Sequence, residues 1–158
     1  MTRFDQLKPT FWDRGPGEPL SAREFAHAGR ELGVRLPIEL GELLGLRNGG
    51  TVAGAFDAFP TSKPTSYSDT HVPFDQLLGV GGRLSILDSP YLSTEWDLPR
   101  RLVVLSGDGH TWVALDYRRS SEPSVGWFDV ELESELALAP TFRAFVEGLV
   151  PSGSFPEE

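Results

Sequence analysis

The stretch from Arg101 to Val130, RLVVLSGDGHTWVALDYRRSSEPSVGWFDV, constrains the fold more than any other part of the chain. Leu102 to Leu105 is an unbroken apolar run with two β-branched residues, too short for a helix and suited to a strand buried on both sides. Ser106-Gly107-Asp108-Gly109 supplies turn chemistry, because glycine tolerates positive φ and an Asp side chain can bond its own backbone. From Thr111 a period of two sorts Thr111, Val113, Leu115 and Tyr117 onto one face and Trp112, Ala114 and Asp116 onto the other. A polar, Pro-containing loop follows, and Val125 to Val130 resumes an apolar, aromatic strand. Three successive strands of one antiparallel sheet are the expected result.

The flanking segments read as helices and loops that cover this sheet. Phe11-Trp12 forms an apolar strap. Ser21-Ala22-Arg23-Glu24 is a capping box, with Leu20 and Phe25 at the staple positions. Phe25, Ala28, Gly29 and Leu32 make one apolar stripe that Gly33 is placed to end, and His27 lies off that stripe in solvent. Pro37 opens a second, strongly apolar helix that Asn48-Gly49-Gly50 closes, and Gly41 and Gly45 inside it suit either close approach of another backbone or drift at tolerant positions. Residues 56 to 70 read as a long surface loop, Val72 to Leu78 as holding a short strand, Leu84 to Leu87 as another strand, and Ser89 to Trp96 as a Pro-initiated helical turn. Pro140 begins a helix with Phe142, Phe145, Val146 and Leu149 on one stripe. A single domain over 1–158 is expected, with its core in 11–150 and a flexible tail over 151–158.

Charge and motif content exclude several function classes. The formal net charge is −9, the reverse of what phosphate-backbone binding needs, so no nucleic-acid partner is expected. Twelve of the fourteen basic residues are Arg, a bias that carries little functional weight by itself. Without cysteine there is no disulfide, thiolate nucleophile or Cys-ligated zinc. No apolar run approaches the roughly 20 residues that span a bilayer, and the N-terminus lacks a signal core, so no membrane partner and a cytoplasmic location are expected. Gly79-Val80-Gly81-Gly82 lacks the spacing of a dinucleotide fingerprint, and neither a G-x-S-x-G elbow nor a P-loop is present. His27, His71 and His110 are scattered. Asp69, His71 and Asp75 suit a solvated loop cluster better than a metal site, and Asp108 beside His110 suits the turn better than acid–base chemistry. No catalytic residue, cofactor or metal is expected.

One pattern points to recognition. Asp129, Glu131, Glu133 and Glu135 alternate with Val130, Leu132 and Ser134, which on a strand sets four carboxylates on one face, either as a solvated edge that deters aggregation or as a surface for a basic partner. Glu95, Trp96, Asp97 and Asp108 add exposed acids and an aromatic anchor of the kind enriched in binding hot spots, whereas Trp112 and Trp127 read as core.

The arrangement Leu32-Gly33, Leu36-Pro37, Asn48-Gly49-Gly50 resembles the helix pair of the SUKH superfamily, which contains the fungal Smi/Knr cell-wall-synthesis regulators and many bacterial toxin-immunity proteins. Phe59-Pro60-Thr61, Gly79-Val80-Gly81, Gly107 to Leu115, Leu115-Asp116-Tyr117-Arg118, Glu122-Pro123 and Ala139 to Leu149 are similar to its later motifs, so the likeness covers most of residues 11 to 150. The resemblance implies an α+β fold: a central, mostly antiparallel sheet flanked by two N-terminal helices and a C-terminal helix. It also implies a protein-binding role without a catalytic centre. Together with the net charge and the carboxylate row, it favours an immunity protein that neutralises a cognate, basic toxin domain such as a nuclease; the alternative is an intracellular scaffold or regulatory module of the Smi/Knr type.

Overall fold

The computed structural model describes residues 2–13, 17–82 and 84–155. The expected strands form as β5 (Leu102–Gly107), β6 (Thr111–Asp116) and β7 (Ser124–Asp129), and a fourth, β8 (Ser134–Ala139), completes an antiparallel sheet in the order β5-β6-β7-β8. Period two holds through the register, with Val113 opposite Trp127 and Leu115 opposite Val125. Val103, Leu105, Val113, Leu115, Tyr117, Val125 and Trp127 enter the main core on one face. Leu102, Val104, Trp112, Ala114 and Phe128 meet Leu92 and Leu98 in a second, smaller core on the other. The run Leu102–Leu105 is therefore buried on both sides, as its unbroken apolar character predicts.

Helices close the main core. α2 (Ala22–Leu32) begins at the Ser21/Glu24 capping box and ends at Gly33 with φ 72°, a left-handed conformation that glycine adopts without a Cβ penalty. α3 (Ile38–Leu46) buries Leu40, Leu43 and Leu44. Gly41 serves a close contact there, but with a side chain rather than a backbone: a Cβ at Gly41 would stand 2.7 Å from the Phe25 ring, while Gly45 meets only open space and a distant carbonyl. α5 (Phe142–Glu147), capped by Thr141, inserts Phe145 between Phe59, stacked at 4.8 Å, and Phe74, edge-on at 4.9 Å. The sheet with its flanking helices is an α+β fold.

An additional helix, α1 (Arg3–Leu7), precedes the Phe11-Trp12 strap. Five residues are too few to display a period, so nothing in the pattern announced it; Phe4 and Leu7 bury, and the Phe4 amide donates to Glu147 Oε2 at 2.9 Å, tying α1 to α5. Short pairs β1 (Gly50–Thr51) with β4 (Gln76–Leu77), and β2 (Ala58–Pro60) with β3 (His71–Pro73), frame the long loop. The Asn48 side chain donates to the Val80 carbonyl and accepts from its amide, both at 2.8 Å, so the Asn-Gly-Gly and Gly-Val-Gly segments are two halves of one clamp.

Two expectations fail. Leu84–Leu87 does not form a strand: Ile86–Asp88 is a 3₁₀ turn capped by Ser85, leading into α4 (Ser89–Glu95). Within the expected tail, Ser152 donates to both oxygens of Asp57 and Phe155 stacks on His71 at 4.1 Å; residues 156–158 lie outside the described residues. The row Asp129 to Glu135 is not one strand but straddles the β7–β8 turn, with Val130–Glu133 reversing the chain. Period two ran through that turn by coincidence, since Asp129 bends the backbone with its own side chain.

Candidate functional site

The β5–β6 and β7–β8 turns lie side by side at one end of the sheet. The Val130 amide donates to the His110 carbonyl at 3.0 Å, and His110 Nδ1 is 2.9 Å from Glu131 Oε1. Trp96, just past the end of α4, meets the His110 ring edge-on with centroids 6.2 Å apart. Gly109 supplies the positive φ of 102° that the turn needs, and lies in ordinary contact range of the Trp96 ring. An indole at the foot of α4 and carboxylates from two turns thus share one exposed end, although they are up to 37 positions apart in sequence.

Asp108 sets the first turn. Its Oδ1 accepts from the amides of His110 and Thr111, both at 2.9 Å, and from the Thr111 hydroxyl at 3.3 Å. Burial pushes this carboxyl up, but the Thr111 and His110 amides and the Thr111 hydroxyl outweigh it and hold the group below the ordinary carboxylate range. Asp129 sets the second turn and is itself 5 % exposed, so it is not part of a recognition surface. Oδ1 accepts from the Glu131 and Leu132 amides at 3.0 Å each, and the Ser66 hydroxyl donates to Oδ2. Here too burial raises the pKa, and the bonds from Ser66, Leu132 and Glu131 lower it further than burial raises it.

The other predicted residues divide. Glu131 and Glu133 sit on the turn itself and are exposed, Glu133 with a left-handed φ of 50°. Glu95 is exposed beside Trp96. Asp97 instead faces a groove of about 790 Å³ between the end of α2, α4 and the start of β5, shared with Arg100 and Arg101. Glu135 lies along β8, where Arg118 binds it at 2.8 and 3.2 Å and Asp116 at 2.8 and 3.0 Å, the guanidinium lying 5.4 Å from the centre of the Phe128 ring. Hydrogen bonds to Asp116 and Glu135 hold the Arg118 charge more firmly than usual, so Glu135 is an ion-paired carboxylate that shares one guanidinium with Asp116. Sequence reasoning missed His110 and Arg118 as organisers of this surface. Only the proximity of Asp108 to His110 hinted at the first, and nothing local announced the second, which reaches 17 positions along the chain.

The family model described as "SMI1 / KNR4 family (SUKH-1)" matches residues 19–148. The chain belongs to this family. SUKH domains include toxin-immunity proteins and Smi/Knr regulators, are generally non-catalytic and generally act by binding other proteins. A comparison with curated proteins finds no match. The matched span runs from the α2 capping box to the end of α5, and so contains both turns and Trp96. Among the described residues, no group of three His, Asp or Glu side chains is placed to hold a metal ion, and no helix is long and apolar enough to cross a membrane.

Proposed function

We propose that this SUKH-1 domain is an immunity protein, and that the end of the sheet bearing Trp96, Asp108, Glu131 and Glu133 is the surface that covers a basic cleft of its cognate toxin. The observation that carries the reading is the convergence of three exposed carboxylates and a part-exposed indole on two rigid turns, in a chain of net charge −9. Carboxylates of this kind accelerate encounter with a basic surface, and a tryptophan ring supplies the desolvated anchor that long-range charge cannot. Neither Glu131 nor Glu133 enters a core, so the charge can be reversed without dismantling the fold. The double substitution Glu131→Lys and Glu133→Lys is expected to leave thermal unfolding nearly unchanged. Association with a basic toxin domain should slow about tenfold or more at low salt, and the difference should shrink as salt rises. Unchanged association rates at low salt would remove this end from the interface.

The regulatory reading is favoured by the matched family description, which names the Smi/Knr group. Affinity capture from native lysate separates the two. A toxin-domain polypeptide recovered in near one-to-one ratio with its activity silenced supports immunity. Recovery of envelope-synthesis proteins alone supports the regulatory module.

A further inference from the structure

The groove of about 790 Å³ between the end of α2, α4 and the start of β5 has the size of a small-molecule site. Leu32, Val34, Leu98 and Leu102 give it apolar walls, and exposed Asp97, Arg100 and Arg101 supply its charges. Among the described residues none of these three side chains has an ion pair or a hydrogen bond, so opposite charges share one cavity without meeting. The segment that carries them is fixed at both ends. The Ser93 hydroxyl donates to the Pro99 carbonyl at 3.2 Å, and the Tyr117 amide donates to the Arg101 carbonyl at 2.9 Å. Asp97 at φ 56° and Arg101 at φ 67° are left-handed, and among the described residues Glu133 is the only other non-glycine that is. Asp is a residue that tolerates this conformation; Arg is not, and glycine adopts it freely. A glycine at 101 would accept the Tyr117 bond equally well. What the arginine adds is a guanidinium at the groove.

We propose that this groove binds a small organic monoanion, a carboxylate with an apolar body, its head on Arg100 and Arg101 and its body against the leucine-lined walls. A guanidinium matches a carboxylate with two parallel hydrogen bonds, and burying the apolar body adds affinity that charge alone does not give. Asp97 sets the limit on ligand charge. A fixed carboxylate in the same groove, in a chain of net charge −9, repels a nucleotide or another polyphosphate several times more strongly than a single charge. A free aliphatic acid and the C-terminus of a peptide with an apolar last residue present this same chemistry. The inference does not depend on the immunity reading, since the groove opens at the start of β5 and the β5–β6 turn lies at its other end.

The test is backbone-amide NMR of the full chain titrated with hexanoate, N-acetyl-leucine, hexan-1-ol and inorganic phosphate. Hexanoate is expected to give saturable shifts confined to 32–34 and 93–103, with a Kd of about 1–10 mM for so small a ligand. Hexan-1-ol, which lacks the charge, and phosphate, which carries more than one, should each bind about tenfold more weakly or not at all. Tighter binding of N-acetyl-leucine than of hexanoate assigns a peptide terminus, the reverse assigns a free acid, and either supports the site. Arg101→Gly should weaken hexanoate about tenfold while the melting temperature stays level or rises, a pairing that damage to the fold would not produce. Arg100→Gln should weaken it to a similar extent, and Asp97→Asn, which keeps a residue tolerant of left-handed φ, should narrow the gap between phosphate and hexanoate. The proposal is overturned by the absence of saturable shifts up to about 50 mM hexanoate, by hexan-1-ol or phosphate binding as tightly, or by an Arg101→Gly variant that binds like the parent.

Discussion

Removing the Asp129 carboxylate tests the local physics of the site most directly. Asp129→Ala withdraws one acceptor set from three donors: the Glu131 and Leu132 amides, which water can reach in part once the turn loosens, and the Ser66 hydroxyl from the long loop. A hydrogen bond to a charged group contributes about 1.5–3 kcal/mol, and rehydration recovers much of it for the two turn amides, so a net loss of about 2–3 kcal/mol is expected. In a domain of this size that lowers the melting temperature by about 4–12 °C. Because the folded carboxyl titrates below its unfolded value of about 3.9, the contribution of its charge is fully present above that pH and disappears as the pH falls through the folded pKa. Asp129→Asn keeps an oxygen for the amides but no charge, so its deficit relative to the parent should be largest near neutrality and shrink steadily below pH 4. Urea titrations from pH 7 to about pH 3 measure both quantities. A deficit for Asp129→Ala under about 0.5 kcal/mol, or one for Asp129→Asn that does not change with pH, would refute the assignment of Asp129 as an ionised turn anchor.

Other substitutions probe separate parts of the molecule. Phe145→Ala empties a fully buried ring site between Phe59 and Phe74 and should cost about 3–5 kcal/mol in chemical denaturation. Asn48→Ala severs both bonds to Val80 and should cost about 2 kcal/mol, with faster hydrogen exchange at the Val80 amide as its signature. Glu133→Gly relieves a left-handed conformation at φ 50° and should stabilise the fold by up to about 1 kcal/mol in thermal melts. Trp96→Ala, on an indole that remains 39 % exposed, should leave folding nearly intact while costing about 2 kcal/mol or more of partner affinity by calorimetry.

Wherever a local rule had enough residues to act on, the sequence was legible. The Ser21/Glu24 box and Gly33 set α2 because each end offers the backbone a specific partner or a specific φ, and the alternation from Thr111 to Tyr117 separates two cores because strand geometry leaves no other sorting. What could not be read depends on distance along the chain. The Arg118–Glu135 closure, the Ser66–Asp129 bond and the meeting of Trp96 with His110 each join residues that no window contains together. The acidic row misled for a different reason. Alternation is necessary for a half-buried strand but does not require one, and an Asp at its head can bend the backbone within the same pattern.

The turn after β7 is held from behind, by a buried Asp129, a loop serine and a Val130 that packs against the second core, while its outward residues Glu131 to Glu133 contribute little to the core. On the proposed reading, stability and recognition therefore draw on different positions within five consecutive residues. On the immunity reading proposed above, a lineage facing a changed adversary can rewrite the outward three by point substitution while the aspartate keeps presenting them in the same place. On that reading, variation among descendants of this sequence should concentrate at 131–133 and stop at the core-packed Val130 and buried Asp129.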